Sequence, residues 1–318
     1  MKAAVFDQHL RYVEDYPLPD MKPGWVRIKV RLAGICKTDM EIMKGYKGFH
    51  GVLGHEFVGI VDCCEDAAWL GKRVVGEINA ACGRCSWCRQ ELGRHCPDRT
   101  TLGIDNLDGC MAEYCILPKE NLRIIDESIT DERAVLTEPL SAACEILEQH
   151  PMAGTERVVV IGDGRLGILC AWALATVLPN VTLIGHHEEK LNAARWRDIK
   201  TVLNGEGVKS GADIVVEATG TGHGIVEAMS LCRPRGTIVL KSTVVHQGDV
   251  NLSPVVINEL TILGSRCGRF EDGLRMMADF HDMPLERLIT GRYTLENVEE
   301  AFAEAKQGHS LKVLLDLG

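Results

Sequence analysis

The stretch VVVIGDGRLGILCA, residues 158–171, decides how the second half of this chain folds. A run of β-branched residues leads into Gly162, Gly164 and Gly167, which are spaced G-x-G-x-x-G and are followed by a second apolar run. This order predicts a strand, a tight turn and a helix. The first glycine allows the turn, the second lets the backbone approach a pyrophosphate, and the third lets helix and strand pack closely. The N–H groups at the helix start would then bind the phosphates of a dinucleotide. A glycine-rich turn without a ligand is the alternative.

The sequence around this glycine motif alternates short β-branched runs with helical stretches, which is typical of a parallel sheet. The predicted strands are residues 157–161, 181–184, 200–203, 213–217, 236–240 and 260–263. The predicted helices are residues 164–178, 188–197 and 224–231. These elements fit a doubly wound α/β domain.

The first part of the chain has a different pattern. Short alternating strands, such as residues 26–30 and 58–62, predict an all-β, barrel-like domain. We therefore expect a β domain at residues 1–138, a dinucleotide-binding domain at 139–266 and a returning segment at 267–318. The apolar LKVLLDL of that segment could complete the sheet of the first domain.

Two further segments would line the dinucleotide site. VEATG, which ends at Gly220, would lie at the carboxyl edge of the sheet, where a doubly wound fold has its crevice. VTLIG ends about twenty residues after the glycine motif, where an acidic residue would bind both ribose hydroxyls of NAD. The chain has Gly185 at that position. The predicted cofactor-binding residues are Gly162, Asp163, Gly164, Arg165, Leu166, Gly167, Gly185, His186, His187, Lys190, Ala218, Thr219 and Gly220.

The absence of an acid at position 185 predicts a preference for NADP over NAD. Glycine leaves room for a 2′-phosphate, and His186, His187 and Lys190 follow as donors to it. In the alternative, the histidines face solvent and Glu188 or Glu189 reaches the ribose, which would favour NAD.

Composition and charge exclude several classes of function. The 318-residue chain has a formal net charge of −10 and no basic run that could follow a phosphate backbone, so we expect no nucleic-acid partner. The N-terminal stretch lacks an apolar signal core, and the longest apolar run, residues 168–178, is too short to span a bilayer. Thirteen cysteines without an extracellular pattern fit a reducing compartment. We expect a cytoplasmic protein that acts on a small molecule and has no membrane partner.

Four cysteines lie close together in the stretch CGRCSWCRQELGRHC. Cys82, Cys85, Cys88 and Cys96 are spaced C-x2-C-x2-C-x7-C, which predicts a closed structural zinc site. The polar residues and glycines between them could not build a hydrophobic core, so the metal must supply the folding energy. A chance cluster of reduced cysteines, a pair of disulfides and an iron–sulfur cluster are the alternatives.

A second set of metal-binding residue types occurs earlier, in GICKTD and GVLGHEFVGIV. It comprises Cys36, followed by Thr38 and Asp39, and His55, followed by Glu56. A thiolate, an imidazole and a carboxylate can bind zinc and leave it an open coordination position for catalysis. Asp39 could bind the far ring nitrogen of a ligating histidine and fix its tautomer. On composition alone, His55 as a loop histidine and Cys36 as a small buried residue are the favoured interpretation.

The chain resembles the zinc-dependent medium-chain alcohol dehydrogenases over almost its whole length. The GHE segment, the four-cysteine lobe and the glycine motif occur in the order typical of that family. The resemblance implies a GroES-like β-barrel catalytic domain, a Rossmann cofactor domain, two zinc ions per chain, and a homodimer or homotetramer. It also implies site residues: Cys36 and His55 as ligands of the catalytic zinc, and Thr38 as the hydroxyl that contacts the substrate oxygen. Glu56 is similar to the GHE glutamate, which lies behind the metal or replaces bound water. LTEPLSAACEI resembles the sorbitol and threonine dehydrogenase branch, with Glu138 as the remaining ligand.

The activity implied is the NAD(P)-linked interconversion of a secondary alcohol, polyol or amino alcohol with its carbonyl, with zinc as Lewis acid. The sequence departs from the family pattern at Glu41, where a histidine often continues the proton path, and in the shortened segments 65–72 and 205–210. Two alternatives remain. One is a non-catalytic, zinc-stabilised nucleotide sensor or structural protein, and the other is a zinc-free quinone reductase, which would lack both metal sets. The residues do not rank the candidate substrates.

Overall fold

The structure, a computed structural model, describes residues 1–243 and 249–318. It divides into two compact units, Met1–Glu138 with Ile289–Gly318, and Pro139–Leu288. Within the described residues, no helix has both the length and the apolar character needed to cross a membrane.

The first unit is built mainly from antiparallel strands. Its strands are β1 Ala3–Phe6, β2 Leu10–Val13, β3 Trp25–Gly34, β4 Gly51–Val52, β5 Glu56–Cys63, β6 Arg73–Gly76, β7 Asn79–Ala80, β8 Thr100–Leu102, β9 Asn106–Leu107, β10 Tyr114–Pro118 and β11 Leu122–Ile124. Its helices are α1 Lys37–Ile42, α2 Ser86–Arg89 and α3 Asp131–Ala134, and α4 Thr137–Gln149 begins at its end. Short 3₁₀ turns occupy Tyr46–Gly48, Ala67–Trp69, Gly93–His95 and Lys119–Asn121.

The second unit is a parallel α/β domain. Its strands are β12 Arg157–Ile161, β13 Asn180–Gly185, β14 Lys200–Leu203, β15 Ala212–Glu217, β16 Cys232–Leu240 and β17 Thr261–Gly264. Its helices are α5 Arg165–Ala175, α6 Glu188–Ala193, α7 Gly224–Leu231, α8 Ser253–Ile257 and α9 Phe270–Asp279, with a 3₁₀ turn at Leu285–Leu288. The chain then returns to the first unit with β18 Ile289–Thr294, a 3₁₀ turn at Leu295–Asn297, α10 Val298–Ala305 and β19 Lys312–Asp316.

The sheet of the second unit has the strand order β14-β13-β12-β15-β16-β17, and every neighbouring pair is parallel. The fold is thus the doubly wound Rossmann-like α/β domain that the sequence predicts. Because helices cover both faces of such a sheet, its central strands are buried on both sides and form continuous β-branched runs, as in residues 158–161.

The main sheet of the first unit has the order β11-β6-β5-β3-β19-β18, and β10 also pairs with β3. Alternate residues of β3 are buried, which is the period-two pattern of a strand with one face toward a core. The C-terminal strand β19 pairs with the end of β3, so LKVLLDL does complete this sheet. This is the GroES-like domain that the resemblance implies.

The predicted returning segment 267–318 is divided between the two units. Residues 267–288 belong to the second unit, and the return begins at Ile289. The reason lies in side-chain packing that the local sequence does not reveal. The Met276 sulfur of α9 lies 3.6 Å from Cys144 Sγ of α4, and Phe280 packs edge-on against Trp196.

Candidate active site

The four predicted zinc cysteines converge in the lobe between β7 and β8. Cys85 Sγ lies 3.5 Å from Cys88 Sγ and 3.8 Å from Cys96 Sγ, and Cys82 Sγ lies 4.0 Å from Cys88 Sγ. Four sulfurs at Zn–S distances of about 2.3 Å in a tetrahedron would lie about 3.8 Å from one another. The sulfur positions therefore fit a tetrahedral Zn²⁺.

Local backbone groups prepare this lobe for a cation. The backbone N–H groups of Arg84 and Cys85 lower the pKa of the Cys82 thiol to about 6, so a thiolate is favoured there. Cys85 also caps α2 and accepts a hydrogen bond from the Cys88 N–H at 3.5 Å. Burial and the neighbouring sulfurs raise the pKa of Cys88 to about 12. The pKa values of these two thiols are thus shifted in opposite directions. A divalent cation would favour the deprotonated form of both, because it stabilises all four thiolates together.

The second predicted metal set also converges. Strands β3 and β5 are antiparallel, and Gly34 pairs with Glu56, so the loop that follows β3 lies beside the residue that precedes β5. Cys36 precedes α1 in that loop. The ligand atoms of Cys36, His55 and Glu56 all lie within 4.8 Å of one another, and both His55 and Glu56 are buried. A thiolate, an imidazole and a carboxylate in this position form a donor set suited to zinc.

Asp39 adjoins two members of this set, Cys36 and His55. Its Oδ2 atom accepts a hydrogen bond from the Cys36 N–H at 2.8 Å, and its Oδ1 atom lies 3.3 Å from His55 Nδ1. With Nδ1 directed at Asp39, the other ring nitrogen of His55 remains for a metal, as the sequence predicts. Burial lowers the pKa of His55, but the negative charges of Asp39 and Cys36 outweigh it and raise that pKa well above its usual value. The same charges would favour a metal cation.

The hydroxyl of Thr38 lies beside this cluster. Its Oγ1 atom is 3.7 Å from Cys36 Sγ, and it belongs to the first turn of α1. Glu41, three residues further, forms an ion pair with Lys44 at 2.9 Å.

Glu138 does not join the cluster. It lies in the first turn of α4 and is only partly buried. Among the residues that the structure describes, the atoms that converge around Cys36 come from His55 and Glu56, and no Glu138 oxygen lies within 4.8 Å of all of them. The assignment of Glu138 as a ligand stays a prediction.

One residue that contacts the cluster was missed by the sequence analysis. Lys312, in β19, is completely buried, and its ammonium group forms an ion pair with the equally buried Glu56. Lys312 Nζ also donates to the Ile35 carbonyl oxygen at 3.1 Å. A lysine within the apolar run LKVLLDL was the only signal for it. The ion pair with Lys312 directs one Glu56 oxygen toward the ammonium group rather than toward Cys36 and His55.

The glycine motif has the geometry of a dinucleotide-binding turn. Gly162 has a φ of +115°, and a Cβ there would lie 2.6 Å from the Ala218 carbonyl oxygen. A Cβ at Gly167 would collide with the Gly162 carbonyl oxygen, whereas a Cβ at Gly164 would meet nothing within 4 Å. The first and third glycines are therefore required by packing, and the second faces open space at the start of α5, beside Arg165 and Leu166. This open face can accept a pyrophosphate.

The carboxyl ends of β15 and β16 adjoin this turn. Gly220 N–H donates to Ser242 Oγ at 2.7 Å. The buried Glu217 accepts hydrogen bonds from Thr219 N–H at 2.8 Å, Thr219 Oγ1 at 2.6 Å and Ser242 Oγ at 3.1 Å. Glu217 belongs to the predicted VEATG segment but was not named as a cofactor-binding residue, and it holds the predicted Thr219 in place.

The residues predicted to bind the ribose end lie around Asp163. The Asp163 Oδ2 atom accepts hydrogen bonds from the backbone N–H groups of His186 and His187, each at 2.7 Å. Both histidines are exposed. Burial lowers the pKa of Lys190, and the nearby Asp163 carboxylate opposes that shift. The space that the sequence predicts beside Gly185 is occupied by the Asp163 side chain. A Cβ at position 185 would lie 2.6 Å from Asp163 Oδ2.

Comparison with known proteins identifies the family. Residues 22–127 match the model of the alcohol dehydrogenase GroES-like domain, and residues 131–317 match that of the glucose dehydrogenase C-terminus. An L-threonine 3-dehydrogenase of Streptomyces avermitilis is 31% identical over 96% of this chain and 95% of its own. A sorbitol dehydrogenase of Halalkalibacterium halodurans is 27% identical over 99% of both chains. The crystal structure of the alcohol dehydrogenase RspB of Escherichia coli CFT073, complexed with NADH, has 28% identity and a TM-score of 0.88 over 100% of this chain and 99% of that one. The chain therefore belongs to the zinc-dependent medium-chain alcohol dehydrogenase family, and it is an oxidoreductase that interconverts an alcohol and its carbonyl by hydride transfer to or from NAD(P).

Proposed function

We propose that this enzyme binds two zinc ions per chain and acts on a secondary alcohol, polyol or amino alcohol. One ion would be structural, bound by Cys82, Cys85, Cys88 and Cys96. The other would be catalytic, bound by Cys36 and His55, with Glu56 or Glu138 completing the set. The observation that carries the proposal is the convergence of the partly buried Cys36 with the buried His55 and Glu56, next to Asp39.

The residues of this site have separable roles in the reaction. Zinc bound by these residues would supply a Lewis acid for the substrate oxygen, and a nicotinamide cofactor would supply the hydride acceptor or donor. Asp39 fixes the Cys36 backbone through a hydrogen bond, and its other oxygen lies 3.3 Å from His55 Nδ1, so one carboxylate adjoins two of the proposed ligands. Thr38 exchanges a proton between the substrate oxygen and solvent. Lys312 neutralises Glu56 and holds one oxygen of this carboxylate at a fixed position.

The substrate class rests on the relatives. Several relatives matched over nearly the full chain are named as threonine, sorbitol and D-xylulose dehydrogenases or reductases. Their substrates share a secondary hydroxyl flanked by a second polar group. A panel of secondary alcohols, polyols, amino alcohols and the matching carbonyls, followed by nicotinamide absorbance, tests the proposal. Turnover confined to primary alcohols would refute it.

For the cofactor, we propose NADP over NAD. The support is the exposure of His186 and His187 at the end of β13, with Lys190 close by and no acidic residue at position 185. The His186 ring nitrogen Nδ1 lies 2.7 Å from the Asn204 amide oxygen, so Asn204 orients this ring. The Asp163 carboxylate nearby opposes a 2′-phosphate, so the expected preference is modest.

We also propose that the enzyme is a cytoplasmic homodimer or homotetramer. None of the thirteen cysteines, all of which lie in the described part of the chain, forms a disulfide bond, which fits a reducing compartment. Strand β17 is an edge of its sheet, and the neighbouring helix α8 leaves Val256 and Ile257 78% and 77% exposed. An unpaired strand edge beside exposed aliphatic side chains is typical of an association surface. Light scattering on the purified enzyme tests this part of the proposal, and a monomer at micromolar concentration would refute it.

A further inference from the structure

The ribose end of the proposed dinucleotide site contains the carboxylate of Asp163. This residue belongs to the glycine motif and not to the end of β13. Asp163 lies between the first two glycines of the motif. The Gly162 N–H donates to the Ile184 carbonyl oxygen at 2.9 Å, so this turn is bonded to the end of β13. The Asp163 carboxylate consequently occupies the space directly above Gly185. A side chain at position 185 would collide with it.

The two oxygens of this carboxylate have different surroundings. Oδ2 accepts three hydrogen bonds, from the N–H groups of His186 and His187 at 2.7 Å and from His187 Nδ1 at 3.0 Å. Within residues 1–243 and 249–318, Oδ1 has no hydrogen-bond partner, and the side chain keeps one-tenth of its surface exposed. One oxygen therefore orders the loop, and the other remains available to accept a further hydrogen bond.

We propose that Asp163 determines the choice between NAD and NADP in this enzyme. It would take the role that the residue at the end of β13 has in the usual dinucleotide-binding motif. This inference rests on the proposed nucleotide site. A ribose 2′-hydroxyl can donate to Oδ1, whereas a 2′-phosphate meets a fixed negative charge. A 2′-phosphate is favoured by His186, His187 and Lys190 and disfavoured by Asp163. The preference between NAD and NADP therefore depends on the Asp163 carboxylate.

The test is Asp163→Asn, which removes the charge but keeps an amide oxygen that can accept the same backbone hydrogen bonds. Calorimetry would measure the affinities of adenosine monophosphate and its 2′-phosphorylated form for the zinc-loaded enzyme, without any turnover. Because a hydrogen bond or a repulsion that involves a charge is worth a factor of about ten or more, the affinity ratio should shift toward the 2′-phosphorylated form by at least about tenfold. Glu189→Gln, in the adjacent exposed helix turn, is the matched control and should shift it less than about twofold.

Three outcomes would overturn the inference. The first is an unchanged ratio in Asp163→Asn, and the second is an equal or larger shift in Glu189→Gln or Glu188→Gln. The third is a wild-type enzyme that binds neither nucleotide, which would also refute the proposed cofactor site. If Asp163→Asn does not fold, Asp163→Ser retains a hydroxyl acceptor for the loop and is expected to shift the ratio in the same direction. An unchanged ratio in that variant would overturn the inference equally.

Discussion

The buried ion pair between Lys312 and Glu56 gives a prediction whose size can be worked out from the structure. Both side chains are completely buried, and Lys312 Nζ also donates to the Ile35 carbonyl oxygen. Lys312→Met keeps a long, flexible side chain but removes the charge. It leaves the Glu56 carboxylate buried without its cation, next to Cys36 and His55. Removal of one partner of a buried pair costs about 3–5 kcal/mol, and we expect a loss of that size in the free energy of unfolding.

The assay is urea unfolding of enzyme preparations with the same measured zinc content. The matched control is Lys2→Met, because Lys2 forms an ion pair of 2.8 Å with Glu296 in the same unit while both side chains are nearly half exposed. Exposed pairs of this kind contribute little to stability because solvent screens them, so this control should change little. The double variant Glu56→Gln with Lys312→Met should be more stable than Lys312→Met alone, since neither charge is then left unpaired.

Two results would refute this reasoning. A Lys312→Met enzyme that loses less than about 1 kcal/mol would show that the pair does not act as a buried pair. A double variant that is less stable than the single one would show that the carboxylate is not destabilised by the loss of Lys312.

Three further predictions concern the metal sites and the cofactor. Cys88→Ser should lose the structural zinc and much of the stability of the Cys82–Cys96 lobe, which metal analysis and limited proteolysis would detect; unchanged zinc content would exclude this site. Glu138→Gln should lower turnover by at least about tenfold if Glu138 is a ligand or orients one; an unchanged rate and zinc content would make it an ordinary residue of the first helical turn. The kcat/KM for NADP should exceed that for NAD by a modest factor, because the Asp163 carboxylate opposes the 2′-phosphate that His186, His187 and Lys190 favour; a higher kcat/KM with NAD would refute the NADP preference.

Local sequence patterns predicted the parts of this protein whose structure depends on local interactions. The run 157–161 forms β12 with the predicted bounds, because its β-branched residues are buried on both faces. The four cysteines converge because they are close in sequence and one of them caps α2. Cys36 and His55 were placed together only through the family resemblance, since their proximity depends on the pairing of β3 with β5.

The remaining features depend on contacts between distant residues. Lys312 and Glu56 are 256 positions apart, and no local pattern indicates that a lysine in an apolar strand has a carboxylate opposite it. The inference that Gly185 leaves space for a 2′-phosphate was wrong, because the side chain of Asp163, 22 positions earlier, occupies that space. Helix α6 ends at Ala193 rather than at the predicted residue 197, where Arg197 has a left-handed φ of +51° and packs over Trp196 and Phe280. In each case a tertiary contact outweighed the local preference.

The central claim is that Cys36 and His55 bind a catalytic zinc that is distinct from the structural one. Zinc content per chain in the wild type and in His55→Ala, measured together with turnover, tests this claim most directly. The wild type should contain two zinc ions per chain. His55→Ala should contain one, should retain the fold by circular dichroism, and should be inactive. A His55→Ala enzyme that keeps both zinc ions and its turnover would contradict the claim.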